Sequence, residues 1–248
     1  MTAPAISHNH HLGFLTRQED AGGVGAMSNG TTGGARWIEI SPERLAGWLE
    51  SFTQRHGDIT SEAAPAVVTF RAADGAVAEC HVPFPPLPKG TDTAEGIRAH
   101  ALAERMVGVL LVRLGGYAAG VFTGPGAHLA ASKVGSRLVH GRSAAGGTSQ
   151  QRFARRREKQ ASEALGAAAD VAAAVFGPYE GKLDAVVLGG DRRAVAGLRD
   201  DPRLRPYFKL AVERFLTVPD PRLTVLRGTP RLFQAIRIRL TEPPAPAG

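Results

Sequence analysis

The chain has very little of what most catalytic and metal-binding sites are built from. A single cysteine, Cys80, stands in its 248 residues, which excludes an internal disulfide framework and any zinc site with several cysteines. The sequence also lacks the Gly-Lys-Ser/Thr loop that cradles nucleotide phosphates, the Gly-x-Ser-x-Gly turn of serine hydrolases and the His-Glu-x-x-His pair of zinc proteases. We therefore expect no cofactor and no dedicated metal ion.

Long apolar runs are missing as well. The longest clean one, Val107 to Val112, is far shorter than the roughly 20 residues that a transmembrane helix needs. The first residues contain no hydrophobic core of a signal peptide. Cys80 stands in an alternating, strand-like run, which favours a small core residue over a nucleophile. These features predict a cytoplasmic protein without a membrane partner.

Positive charge is in excess over negative charge. Thirty Lys and Arg residues stand against 23 Asp and Glu residues, which gives a formal net charge of +7 and a pI near 10.2. Hydrophobic residues make up 43 % of the chain, enough for a substantial core. We expect a folded protein with an anionic partner.

Composition divides the chain into three parts. Residues 1–34 contain His8, His10, His11 and two glycine clusters, and they bury too little apolar surface to fold. The three histidines could hold a transition metal, but a solvated tail is the favoured interpretation. Residues 35–241 are predicted to form one folded domain, and residues 242–248 a second disordered tail.

Helix and strand patterns alternate along the predicted domain. Leu45, Trp48, Leu49 and Phe52 share one helical face after a Ser41-Pro42 helix start. Further elements are predicted as a hairpin through Asp74-Gly75, a three-strand meander at 107–114, 117–123 and 128–139, a long helix at 150–176, a strand at 183–188, short helices near 190–198 and 203–211, and strands at 213–218 and 231–240. This order predicts a single α/β domain with a mixed β-sheet and flanking helices.

The most informative segment is the loop from Gly141 to Gln151, which connects the meander to the long helix. Gly146 and Gly147 allow backbone conformations that other residues avoid, so the loop can enter a crowded site. Gln150 and Gln151 each offer a neutral donor and a neutral acceptor. A mobile surface loop has the same composition, so the loop alone does not decide between the two interpretations.

Basic residues surround this loop. Between Lys133 and Lys159 eight cations accompany a single acid, Glu158, whereas a solvated helix usually mixes its charges. Relief of this repulsion by phosphate predicts an RNA-binding surface. The predicted contacts are Lys133, Arg137, Arg142, Arg152, Arg155, Arg156 and Lys159.

The Gly-Gly-Thr-Ser-Gln loop, the strands before it and the basic helix after it resemble the Vms-like release-factor (VLRF) family, with the actinobacterial branch closest. This family is related to the middle domain of eukaryotic and archaeal class 1 release factors. The resemblance implies that fold, an RNase H-like variant, over roughly residues 36–241. It also implies a peptidyl-tRNA hydrolase whose loop enters the peptidyl-transferase centre of the large ribosomal subunit, next to rRNA and peptidyl-tRNA.

Gln150 matches the functional glutamine of the family, and Gly146 and Gly147 match the preceding glycines. The chain departs from Gly-Gly-Ser-Gln by one additional residue, so Gln151 stays a rival for the same role. Two alternatives also stay open: a non-catalytic basic RNA- or ribosome-binding protein, and a metal-dependent nuclease. The nuclease would need carboxylates such as Asp184 and Asp191, for which loop and helix-cap roles are favoured. A surface or RNA-contacting role is likewise favoured for His140 over that of a base.

Overall fold

The computed structural model describes residues 35–113, 115–124, 126–136 and 149–243, without the side chains of residues 149–154 and 157. Most of both predicted tails therefore lies outside the described residues. In the part described, no helix is long and apolar enough to cross a membrane.

The first sheet is antiparallel throughout and joins the two ends of the folded chain. Its strand order is β1-β10-β4-β3-β2, with Ala35 at the start of β1 paired to Thr241 at the end of β10. One face packs on helices α1 and α2, around Leu45, Phe52 and Ile97. The elements are β1 Ala35–Ile40, α1 Leu45–His56, β2 Ile59–Ala63, β3 Val67–Ala72, β4 Val77–His81, α2 Ala94–Ala101 and β10 Ile236–Thr241.

The predicted hairpin between β3 and β4 is confirmed. Gly75 has a φ of +92°, in the left-handed region that glycine adopts without strain. The Asp74 carboxylate accepts a hydrogen bond of 2.9 Å from the Ala76 backbone N–H and closes the turn. This hydrogen bond and a second one with His56 lower the pKa of Asp74.

The second sheet is mixed, in the order β7-β6-β5-β8-β9. Strands β5, β6 and β7 form the predicted antiparallel meander, while β8 and β9 run parallel to β5. Helices α3, α4 and α5 cover one face of this sheet, and α6 and α7 pack on the other. The elements are β5 Val107–Arg113, β6 Gly116–Thr123, β7 His128–Ser136, α3 Ser149–Phe176, β8 Ala185–Gly190, α4 Arg192–Ala196, α5 Arg205–Lys209, β9 Ala211–Leu216, α6 Leu223–Arg227 and α7 Thr229–Phe233.

The α/β class and the mixed sheet are confirmed, but the strands are divided between two sheets. The predicted final strand at 231–240 begins only at Ile236, because Thr229–Phe233 form helix α7, with Pro230 in its first turn, and Phe233 packs into the core of the second sheet. The prediction missed β2, whose residues are nearly all exposed and carry no apolar alternation. It also missed strand β1 and the short helices α2 and α6.

Cys80 is a core residue, as predicted. Its side chain is fully buried in β4, and burial raises the pKa of the thiol to about 12. A thiol with this pKa carries almost no thiolate near neutral pH, so Cys80 is unsuited to nucleophilic attack.

Candidate functional site

The candidate catalytic segment lies between the end of β7 and the start of α3. Gly146 and Gly147, together with Arg137, His140 and Arg142, lie outside the described residues. Helix α3 begins at Ser149. The backbones of Gln150, Gln151 and Arg152 therefore belong to the first helical turn rather than to the loop.

Four strands of the second sheet end at the same edge. Strands β5, β8 and β9 are parallel, and β7 runs in the same direction because two antiparallel pairings separate it from β5. In the register, Arg113 pairs with Gly116 and Gly116 with Ser136, while Val112 pairs with Gly190. The chain therefore leaves β7 at this edge, which we call the loop edge.

Helix α3 runs from the side of the loop edge to the opposite end of the sheet. Its C-terminal residue, Phe176, packs near the beginning of β5, where a methyl group on Gly108 would come within 3.2 Å of the Phe176 ring. The helix has 28 residues and is about 42 Å long, whereas the seven residues of β5 span about 23 Å. The first turns of α3 therefore extend beyond the sheet, on the side of the loop edge.

The beginning of α3 is basic and solvent-accessible. Arg155, Arg156 and Lys159 are exposed, and the first buried position that the structure describes on the helix is Ala168. Lys133 is also exposed, on β7 close to the loop edge. Among the described side chains, no acid lies within 4 Å of these four cations. Four of the seven predicted RNA contacts thus lie on an exposed surface, while the side chain of Arg152 and all of Arg137 and Arg142 are outside what is described.

Asp184 and Asp191 do not form a carboxylate pair. They lie before and after β8, so roughly 20 Å of strand separates them. Asp184 accepts a hydrogen bond of 2.7 Å from the Met106 N–H, and Asp191 caps α4 by accepting one of 2.9 Å from Ala194. Among the described residues, no group of three or more His, Cys, Asp or Glu side chains could hold a metal ion.

A glycine-aromatic pair supports the strand from which the loop leaves. Gly135, the penultimate residue of β7, pairs directly with Tyr117 on β6. A methyl group on Gly135 would lie 2.4 Å from the Tyr117 ring, so this ring occupies the space that a side chain would take. The Tyr117 side chain is buried and continues into the core beneath α3. This packing connects the base of the loop to the rigid part of the domain.

We expect Gly135→Ala to destabilise the protein by about 1–3 kcal/mol, because the new methyl group displaces Tyr117 from its rotamer. Gly166→Ala is the matched control. Gly166 lies within α3, and a methyl group added there would meet open space, so the same change should stabilise by about 0.5–1 kcal/mol. Urea denaturation of both variants measures the difference, and equal effects would contradict the packing role of Gly135.

A family model matches the part of the chain that contains this site. The family model described as "Actinobacteria/chloroflexi VLRF1 release factor" matches residues 105–239, more than half of the chain. The chain belongs to this release-factor family. The match begins just before β5 and covers the whole second sheet and α3, and it extends into β10. Family membership connects the chain with translation and implies an interaction with the ribosome.

The chain was also compared with solved structures and with curated proteins. The chain is similar to the crystal structure of the archaeal translation termination factor aRF1, with a TM-score of 0.39 and 13 % identity over 81 % of this chain and 67 % of that one. No curated protein matches the sequence.

The structure also brings cations to the site that the sequence interpretation missed. Arg192 and Arg193 follow directly after the end of β8, at the loop edge. They stand more than thirty positions beyond the basic part of α3, and only the parallel pairing of β8 with β5 brings them to this edge. The signal in the sequence was two arginines that follow a Gly-Gly-Asp segment at the end of a buried strand.

Proposed function

We propose that this chain is a peptidyl-tRNA hydrolase that frees nascent peptides from stalled ribosomes or large subunits without reading a codon. The observation that supports this most directly is the place of Gln150. It lies in the first turn of α3, beyond the sheet on the side of the loop edge, about one and a half helical turns before the exposed cations Arg155 and Arg156. The release-factor family of the surrounding region supports the same activity.

The proposed reaction is the hydrolysis of an ester by water. The scissile bond is an ester between the peptide and the tRNA 3′ ribose, and water is the nucleophile, so no serine or cysteine is needed. The first N–H groups of a helix have no acceptor within the helix. The Gln150 N–H is therefore suited to donate to the developing oxyanion or to the leaving 3′ oxygen, a contribution typically on the order of 10²–10³ in rate.

The side chain of Gln150 has a second role in this proposal. Its amide positions the attacking water and excludes poorer geometries. A neutral amide is a weak base, so the proton of the attacking water passes through a ribose hydroxyl or an rRNA group to the leaving 3′ oxygen. Gln151 is the rival for these roles, because it shares the first turn of the helix. The ribosome thus completes an active site of which this chain supplies one half.

In this proposal the basic surface orients the loop on the ribosome. Lys133, Arg155, Arg156 and Lys159 are exposed on the side where the loop leaves and returns. In the proposal they bind rRNA or tRNA phosphate and so orient the segment that carries Gly146, Gly147 and Gln150. A non-catalytic ribosome-binding protein would use the same cations but would have no role for the glutamines.

The test is a release assay on purified ribosome–peptidyl-tRNA complexes and on large subunits that carry peptidyl-tRNA. Catalytic amounts of the protein should free the peptide and leave intact deacylated tRNA. Tight binding without free peptide would favour the non-catalytic alternative, and cleaved tRNA would favour the nuclease.

We expect release to persist in a chelator selective for zinc and manganese, as long as magnesium keeps the ribosome assembled. The proposed reaction uses water, a glutamine and rRNA groups and routes no step through a protein-bound metal ion. The rate of peptide release with and without chelator measures this. Loss of release that added zinc or manganese restores would contradict the mechanism.

A further inference from the structure

The connection between β8 and β9 carries a second excess of positive charge. Residues 191–209 include six cations and three acids. Asp191 caps α4, and Asp201 is engaged by Arg203, which also binds Asp170. Among the described side chains, no acid lies within 4 Å of the five other cations. They are Arg192, Arg193, Arg199, Arg205 and Lys209.

Two of these arginines lie on aromatic rings. The guanidinium of Arg192 is 4.4 Å from the centre of the Phe215 ring, and that of Arg199 is 5.1 Å from the centre of Phe208. Both arginines remain exposed while both rings are partly buried against the core. The rings restrict the orientation of each guanidinium and leave its N–H donors toward solvent, which lowers the entropy cost of binding an anion.

This surface lies on the same side of the second sheet as the basic start of α3. Helices α3, α4 and α5 pack on the same face of the second sheet. A methyl group on Gly197, just after α4, would come within 2.9 Å of Leu165 in the middle of α3. Because α4 begins at the loop edge and the first turns of α3 extend past it, Arg192 and Arg193 lie on the side where Arg155 and Arg156 are exposed.

We propose that Arg192 and Arg193 form a second contact with the RNA phosphate backbone, so that the protein binds ribosomal RNA through two basic strips, one formed by Arg155 and Arg156 on α3 and the other by Arg192 and Arg193 after β8. The inference rests on the proposed function for the identity of the RNA. RNA is favoured over an acidic protein because Arg192, held on the Phe215 ring, presents a planar donor fork that suits phosphate, and because the adjoining strip on α3 is equally rich in cations.

A two-strip contact has a mechanical consequence. A single basic helix leaves the protein free to rotate about it, whereas contacts on α3 and after β8 fix the orientation of the loop edge. The five strands of the second sheet, spaced about 4.8 Å apart, make this edge roughly 19 Å wide. Arg192 and Arg193 follow β8, three strand spacings or roughly 14 Å from β7, where the loop leaves, so phosphate contacts at both strips define the direction in which the loop enters the ribosome.

The test compares three double charge reversals in the full-length protein. Arg192→Glu with Arg193→Glu removes the second strip, Arg155→Glu with Arg156→Glu removes the α3 strip, and Arg227→Glu with Arg231→Glu is the control. Arg227 and Arg231 are exposed on α6 and α7, on the opposite face of the sheet, so the control changes the net charge by the same amount. Binding to purified large ribosomal subunits and to protein-free large-subunit rRNA is measured from 50 to 300 mM salt.

We expect the Arg192/Arg193 reversal to lower the log–log salt slope by roughly 1.4–1.8 on both probes, a loss of about 25- to 60-fold in affinity near 0.1 M salt, and the control to change neither. A slope equal to that of the control overturns the inference. In that case a loss in the Arg155/Arg156 reversal leaves the proposed function standing. A loss on intact subunits without a loss on protein-free rRNA would assign the strip to an acidic ribosomal protein and would also overturn the RNA contact.

Discussion

Gln150→Ala should reduce the rate of peptide release by about 10²-fold at saturating enzyme, because the water that attacks the ester loses its positioning amide. Gln150 stands in the first turn of α3, before the buried positions that the structure describes on that helix. We therefore expect the melting temperature and the affinity for the large subunit to stay unchanged. Single-turnover release from large subunits that carry peptidyl-tRNA, measured beside thermal unfolding, separates these quantities.

Gln150→Pro distinguishes the backbone from the side chain. Proline is tolerated in the first turn of a helix, where its missing N–H has no partner within the helix. If the Gln150 N–H donates to the oxyanion, the proline variant should lose a further factor on the order of 10²–10³ beyond Gln150→Ala. Equal rates for the two variants would assign catalysis to the side chain alone.

Gln151→Ala is the matched control for the position of the glutamine. It removes the same side chain one residue later in the same helical turn. Full activity in Gln150→Ala with loss in Gln151→Ala would move the assignment by one residue. Full activity in both variants would refute the glutamine mechanism and favour a binding protein without catalysis.

Reversal of charge on α3 should affect binding rather than chemistry. We expect Arg155→Glu with Arg156→Glu to reduce affinity for the large subunit by about 25- to 60-fold near 0.1 M salt and to lower the log–log salt slope by roughly 1.4–1.8. The physical reason is the loss of two exposed cations that no described acid neutralises. The release rate at saturating enzyme should fall much less than in Gln150→Ala.

Arg155→Lys with Arg156→Lys is the control for charge alone. It keeps both positive charges and removes only the planar guanidinium. The log–log salt slope should therefore stay close to that of the unmodified protein. The loss of affinity should be smaller than in the reversal variant and arise where a bidentate phosphate contact is broken. A reversal variant that binds as tightly as the unmodified protein at every salt concentration would show that the α3 strip is only solvated, and ribosomal docking through this helix would be wrong.

Local sequence patterns were sufficient for many elements. Asp74 and Gly75 determine the β3–β4 turn, because one caps it and the other adopts its left-handed conformation. Glycine-containing turns separate the strands of the meander, and the alanine-rich run gives α3, predicted at 150–176 and found at Ser149–Phe176. These interactions lie within a few residues of one another. The alternating pattern at 231–240 gave a wrong start for the last strand, since alternation alone did not show that helix α7 extends to Phe233.

By itself, the sequence determined the α/β class, the resemblance to the release-factor family and the charge of the segment that carries Gln150. Only the tertiary structure decided that the strands form two sheets, because β10 pairs with β1 and β4 at the far end of the chain while the preceding α7 packs on the other sheet. It also decided that Arg192 and Arg193 reach the edge at which β7 ends. Such pairings depend on which partner buries each apolar face across the whole chain, and a strand's own alternation does not name that partner.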